Sequence, residues 1–157
     1  AAFRNARFTR VGANVLALTV GLFLGSEHRG LAALNMLDYV VVGTALVSVI
    51  AYWLWAVFWN DLADEAGDRI AMSHRPLPSG SLLRAEMGTL AGIFLVIAYV
   101  TALNVGYTFF LFIMTRSAVG YLYSTKPFRL KQVARFCSTT AWFTHLPPIT
   151  PTMFVGV

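Results

Sequence analysis

Residues 39–59 read YVVVGTALVSVIAYWLWAVFW, a run of 21 residues that contains no charged side chain. Residues 87–115 form a second stretch without a charge. A helix needs about 20 predominantly apolar residues to cross the hydrocarbon core of a bilayer. Both runs are too long for the buried helices of a small soluble protein, so they predict transmembrane helices.

The composition of the whole chain points to the same class of protein. Of its 157 residues, 57% are hydrophobic and 12% are charged, whereas soluble domains carry about 25% charged residues. The net charge of +5 does not indicate nucleic-acid binding, because the basic residues fall between the apolar segments. The single cysteine, Cys137, excludes an internal disulfide and a cysteine-built metal site.

The apolar pattern predicts an all-α, polytopic transmembrane helix bundle with four spans and the beginning of a fifth. In chain order the expected spans are residues 11–25, 37–59, 85–103 and 107–123, followed by an apolar stretch that starts near Thr139.

The distribution of basic residues predicts the orientation. If the N-terminus is cytoplasmic, the inside segments 1–10, 60–84 and 124–138 hold ten of the twelve basic residues, and the outside segments hold only Arg29. By the positive-inside rule, the N-terminus and both long polar loops lie on the cytoplasmic side. The pattern does not name the organelle.

An acidic segment directly follows the first apolar run. Residues 60–68 read NDLADEAGD and hold four of the seven acidic residues of the chain. If the helix continues, Asp61, Asp64 and Asp68 lie on one face, where three like charges repel one another. A divalent cation would remove this conflict, and carboxylates completed by water and phosphate suit Mg²⁺. The alternative is a solvated acidic helix end without a ligand.

Two segments together resemble a known family. Residues 60–80 read N-D-x-x-D-x-x-x-D, then a six-residue spacer, then R-P-L-P-S-G. This order resembles the first aspartate-rich motif of the UbiA superfamily of intramembrane prenyltransferases. The short spacer is similar to the branch of chlorophyll synthases and geranylgeranylglyceryl phosphate prenyltransferases, although IAMSH at residues 70–74 departs from the Ile-Asn-x-Pro common there. YLYSTKPFRLK at residues 121–131 resembles the Y-S-x-x-P-x-R-L-K segment after the fourth helix. Both motifs lie on the same predicted face, so they are expected to meet.

The resemblance implies a function and a set of site residues. The implied reaction is Mg²⁺-dependent transfer of a prenyl group from an allylic prenyl diphosphate to an aromatic or lipid acceptor within the bilayer. The implied metal ligands are Asp61, Asp64 and Asp68, which together with Lys131 are also the implied catalytic residues. The implied substrate-binding residues are Asn60, Arg75, Arg116, Tyr123 and Arg129.

Family members have about nine helices and a second D-x-x-x-D motif after the sixth. Residues 1–157 are therefore expected to be the N-terminal half of one transmembrane domain, with the C-terminal half absent and half of a two-metal site present. Three other functions stay open. One is a terpene cyclase of the same superfamily, which would form product without an acceptor. The second is a CDP-alcohol phosphotransferase, which also has aspartates at a membrane face, although its motif begins with Asp-Gly and residues 60–68 do not. The third is a transporter or a non-catalytic, truncated or degenerate membrane scaffold.

Residues within the predicted spans have two interpretations each. Arg116 lies in the fourth span and shares a helix face with Tyr123. An ionisable residue at this depth usually faces a cavity or a partner, so substrate contact and an ion pair within the bundle both stay open. Five aromatic residues crowd the end of the second span, and for most of them an interfacial belt is favoured over a lining for an allylic cation. They are Tyr52, Trp53, Trp55, Phe58 and Trp59.

Overall fold

The first helix is much longer than a bilayer core is thick. In the computed structural model, which describes residues 36–130, α1 runs over Met36–Ala71 and has 36 residues. At 1.5 Å per residue it is about 54 Å long, against a hydrocarbon core of about 30 Å. The sequence predicts a span ending at Trp59, but the helix continues to Ala71 because no proline interrupts residues 60–71.

Two shorter helices complete the described bundle. α2 runs over Arg84–Val105 and α3 over Tyr107–Ser124, so that only Gly106 separates them. The Glu86 carboxylate accepts a hydrogen bond of 2.9 Å from the backbone N–H of Leu83, which caps the start of α2. Both helices lie within two residues of the predicted third and fourth spans.

Among the described residues, two helices are long and apolar enough to cross a membrane, judged by length and composition. These are Tyr39–Ala71 and Arg84–Val105. α3 forms where the fourth span is predicted, but with Arg116 in its middle it is not one of these two. The first and fifth predicted spans lie outside the described residues.

Small side chains bring α1 and α2 close together. Ala45 and Ser48 of α1 and Ala98 and Ala102 of α2 are all buried. The Ser48 hydroxyl donates a hydrogen bond of 2.8 Å to the backbone carbonyl of Ala98. Such contacts are typical of helices that pack in lipid, where backbones must approach closely because hydrophobic burial contributes little. Larger side chains fill the rest of the core, which includes Tyr52, Trp55, Met87, Phe109 and Ile113.

The chain reverses direction at each connection, and every pair of the three helices packs together. The end of α1, the start of α2 and the end of α3 therefore lie at the same end of the bundle. We call this the polar end, formed by residues 60–83 and 124–130. The outer face of α2 instead exposes apolar side chains, as a lipid-facing helix does, among them Ile93, Val96, Val100 and Leu103.

Candidate functional site

The three aspartates lie on the part of α1 that extends into the polar end. Because α1 is continuous over residues 60–71, the spacing of Asp61, Asp64 and Asp68 places them along one side of the helix. Asp61 is only 5% exposed, and the other two are half-buried. A buried carboxylate must be paired or hydrogen-bonded to remain charged, so the neighbours of this face decide what it can do.

Arg75 supplies one neighbour from the loop between α1 and α2. Its Nη1 lies 2.5 Å from Asp68 Oδ2 and 3.8 Å from Asp61 Oδ1, so a single guanidinium serves two carboxylates. The loop is held in place by the buried side chain of Leu77 and by a hydrogen bond of 2.9 Å from the Ser79 N–H to the Arg75 carbonyl. The predicted turn after Arg75 thus places its side chain back over α1.

Arg129 supplies the second neighbour from the loop after α3. Its Nη2 lies 3.1 Å from Asp64 Oδ1. The backbone of Arg129 has φ 35°, a left-handed conformation that costs a non-glycine residue energy and is common at functional sites. Its Nε is buried and has no hydrogen-bond partner among residues 36–130. The two motifs, expected to share one face, are therefore in direct contact.

Two further contacts fasten the end of α3 to α1. The indole N–H of Trp59 donates a hydrogen bond of 2.9 Å to the Thr125 hydroxyl, and the Ser124 hydroxyl donates one of 3.4 Å to the Asn60 side-chain oxygen. Asn60 thus lies at the polar end beside Asp61 and accepts a hydrogen bond from the end of α3. Neither Trp59 nor Thr125 is predicted as a site residue, because nothing local in the sequence indicates that they pair.

Glu65 organises an outer ion-pair network that the sequence analysis does not identify. It lies 2.8 Å from Arg69 on the same helix and 2.5 Å from Arg84, the first residue of α2. Arg84 also donates a hydrogen bond of 3.2 Å to the Leu62 carbonyl. The spacing of Glu65 and Arg69, four residues apart on a helix, is a local signal that could have indicated the first pair. The network ties the start of α2 to the aspartate-bearing turns.

Arg116 lies deeper in the bundle than the aspartates. It is 4% exposed, and its guanidinium carbon lies 5.1 Å from the centre of the Tyr52 ring and 5.5 Å from that of Phe112. It precedes Ser124 by eight residues, about 12 Å along the helix axis. Tyr123, on the last turn of α3, is half-buried near the polar end. Lys131, the remaining predicted site residue, lies outside the described residues.

Two of the five aromatic residues near the end of the second predicted span do not belong to an interfacial belt. Tyr52 and Trp55 are buried in the core. They are buried because they lie on the side of α1 that packs against α3, where Arg116 and Gly120 lie against them. Trp55 packs against Trp59 with ring centres 6.5 Å apart, and Trp59 against Tyr121 at 5.3 Å.

The fit of the aspartates to a magnesium ion depends on which other ligands complete its coordination shell. Within residues 36–130, no three side chains of His, Cys, Asp or Glu are arranged to hold a metal ion. Mg²⁺, however, is usually bound by one or two carboxylates with water and substrate phosphate as its other ligands. Asp61 and Asp68 lie 3.8 Å and 2.5 Å from one nitrogen of Arg75, so a cation in that position would have a carboxylate on each side. The donor set therefore fits an ion that a diphosphate completes.

Comparison with known proteins gives one match. The model of the UbiA prenyltransferase family matches residues 6–151, which is nearly the whole chain. No curated protein and no solved structure matches the chain significantly.

Proposed function

Because the chain belongs to the UbiA prenyltransferase family, we propose that it transfers a prenyl group from an allylic prenyl diphosphate to an aromatic or lipid acceptor within the membrane, with Mg²⁺ as cofactor. Family membership implies prenyltransferase-type activity, a prenyl diphosphate substrate and, in general, dependence on magnesium. The family and the apolar helices together make this an integral membrane protein. The acceptor class and the site residues are our proposal.

One observation carries the assignment of the site. Arg75 and Arg129, which belong to two different loops, both reach the aspartate face of α1. Acidic groups for a metal and basic groups for phosphate thereby come together at one end of an apolar bundle. A solvated acidic helix end would not need guanidinium groups from two separate loops.

The proposed reaction breaks the bond between the allylic carbon and the diphosphate oxygen, and the diphosphate leaves with the electron pair. The acceptor then forms a bond to the allylic carbon and releases a proton. Asp61, Asp64 and Asp68 would supply the carboxylates for bound Mg²⁺, with Asp61 and Asp68 sharing one ion, and the metal would stabilise negative charge on the departing diphosphate. Arg75 and Arg129 would donate charge-assisted hydrogen bonds to the same oxygens, and Lys131 would add a point charge.

The remaining predicted residues have roles that follow from their depth. Asn60 would support the metal ligands from the adjoining position on α1, and Tyr123 would contact the substrate near the polar end. Arg116, enclosed by aromatic rings about two turns deeper, is better placed for the acceptor than for the diphosphate. Tyr52, one of these rings, could also stabilise an allylic cation by its face.

Three finer points are also proposals. The six-residue spacer before Arg75 supports the branch of chlorophyll synthases and geranylgeranylglyceryl phosphate prenyltransferases. The excess of basic residues supports a cytoplasmic polar end and N-terminus. The family pattern supports residues 1–157 as the N-terminal half of one domain, so activity should be measured on the whole coding sequence as well as on this chain.

The proposal is tested by replacing one carboxylate. The protein, in detergent or reconstituted vesicles, is given Mg²⁺, a radiolabelled allylic diphosphate and a set of aromatic and lipid acceptors. We expect Asp64→Asn to lower the rate of prenyl transfer by on the order of 100-fold, as loss of one electrostatic group at a reacting centre does. Glu86→Gln is the matched control, because this acid caps α2 away from the aspartate face and its amide can still accept the Leu83 hydrogen bond.

Three results would contradict the proposal. Activity that survives in Asp64→Asn would remove this face from the reaction. A cyclised product that forms without an acceptor would indicate a terpene cyclase. Absence of any product from the whole coding sequence, in a folded protein, would indicate a scaffold.

A further inference from the structure

The carboxylates that the proposed function gives to a metal are already paired with cations. Arg75 lies between Asp61 and Asp68, and Arg129 lies against Asp64. The side chains of these ion pairs are mostly buried, so solvent and salt screen them less than they screen a surface pair. A metal ion that approaches these aspartates has to compete with the guanidinium groups.

The competition is most direct at Arg75. One nitrogen, Nη1, contacts both Asp61 and Asp68, which is the position that a cation bridging the two carboxylates would take. If a metal displaced Arg75 alone, the guanidinium would be left half-buried beside a second positive charge. Such an uncompensated charge is costly where the side chain is mostly buried.

A diphosphate removes this cost because it offers the displaced arginines a new partner. Guanidinium groups bind phosphate oxygens in the same forked geometry that they use for carboxylates. Arg129 has a donor in reserve, since its Nε is buried without a hydrogen-bond partner among residues 36–130. Diphosphate without metal would conversely take the arginines and leave the aspartates facing an anion. With both ligands bound, the aspartates face the metal and the arginines face the diphosphate, so each group again has a partner of opposite charge.

We propose that Arg75 and Arg129 hold the metal-binding aspartates closed to free metal ions, and that metal and diphosphate bind with strong positive coupling because the diphosphate accepts the arginines that the metal displaces. This inference rests on the proposed function, since it concerns the same aspartates. Arg75 and Arg129 are then responsible for the coupling between metal and diphosphate as well as for holding the leaving group. By linkage, each ligand raises the affinity for the other by the same factor.

The inference is tested by metal binding without turnover. Mn²⁺ replaces Mg²⁺ so that free metal can be measured by electron paramagnetic resonance in a titration of the full chain in detergent. The second ligand is geranylgeranyl thiodiphosphate, whose carbon–sulfur bond resists ionisation, and a protein-free titration corrects for metal that it binds in solution. For the unsubstituted protein we expect the thiodiphosphate to tighten Mn²⁺ binding by roughly 5- to 150-fold, the usual range of coupling between sites.

Variants separate competition from a general effect of charge. Arg75→Gln should bind Mn²⁺ alone several-fold more tightly than the unsubstituted protein and should lose most of the coupling. Arg75→Lys, which keeps a cation at the same place, should resemble the unsubstituted protein in Mn²⁺ alone. Arg69→Gln is the charge-removal control, because Arg69 is 67% exposed and pairs with Glu65 on the neighbouring face. Far-UV circular dichroism establishes that each variant is folded.

The outcomes are distinct. Equal or weaker Mn²⁺ binding in Arg75→Gln would overturn the inference, and so would an equal gain in Arg69→Gln or independent binding of metal and thiodiphosphate in the unsubstituted protein. Because no product is measured, the coupling can be present in a protein that transfers no prenyl group. In that case the proposed function fails while this inference stands.

Discussion

Ser48 tests whether close approach of helices, more than hydrogen bonding, holds the bundle together. Its side chain is 0% exposed, and its hydroxyl donates to the Ala98 carbonyl across the interface between α1 and α2. That carbonyl lies inside the continuous helix α2, so it keeps its helical hydrogen bond from the backbone N–H four residues later when the serine hydroxyl is removed. Ser48→Ala therefore costs only the net value of one interhelical hydrogen bond, about 0.6 kcal/mol and at most about 1.7.

Ser48→Leu is expected to cost considerably more. It loses the same hydrogen bond and also forces a larger side chain against Ala98, which is itself 0% exposed. Overpacking of this kind costs about 1–3 kcal/mol, so the total should be about 2–4 kcal/mol. Val47→Leu is the matched control, because Val47 is 47% exposed on the adjoining face and its enlargement should change stability by less than about 0.5 kcal/mol.

The free energy of unfolding is measured for the purified protein in mixed micelles, by titration with SDS and detection by far-UV circular dichroism. The expected order of destabilisation is Ser48→Leu, then Ser48→Ala, then Val47→Leu. If Ser48→Ala costs as much as Ser48→Leu, the hydroxyl and not the small volume is decisive, and the packing argument is wrong. A neutral Ser48→Leu would show that the two helices are not in close contact at this position.

Two more substitutions test the contacts between α1 and α3 by the same measurement. Trp59→Phe should cost about 1 kcal/mol, because it keeps an aromatic ring but loses the hydrogen bond to Thr125. Thr125→Val should then add little to the destabilisation in the double variant. Full additivity of the two substitutions would show that this hydrogen bond does not contribute to stability. Gly120→Ala should stabilise α3 by about 0.5–1 kcal/mol, since the added Cβ meets Trp55 at an ordinary 3.5 Å. Gly120→Leu should instead destabilise by about 1–3 kcal/mol, since it has to displace that ring, and an unchanged stability would show that the ring is not packed there.

Much of the fold could be predicted from the sequence because it depends on local patterns. The apolar runs and the short turn at Gly106 predict α2 and α3 to within two residues. The spacing of the aspartates predicted one face, which holds because helical geometry depends on neighbours three and four residues apart. The sequence does not decide whether α1 continues beyond Trp59, since the polar residues that follow can equally form a loop.

The aromatic residues show where local patterns mislead. A belt was favoured because Tyr52 and Trp55 stand near the end of an apolar run, and interfacial aromatics are common at such a place. Their burial depends on which side of α1 faces α3, where Gly120 and Arg116 lie against them. No pattern within α1 indicates that side.

The sequence by itself determined the class of protein, the helices and the residues that belong to the two motifs, because hydropathy and helical spacing are properties of short segments. Only the tertiary structure decided the partners within the site. Arg129 and Asp64 are 65 residues apart in the chain, and they meet because α3 packs beside α1 with its end at the same level. Arg75 reaches Asp61 and Asp68 because the loop folds back over α1. Ion pairs between distant segments depend on how helices pack, and packing is set by the whole bundle at once.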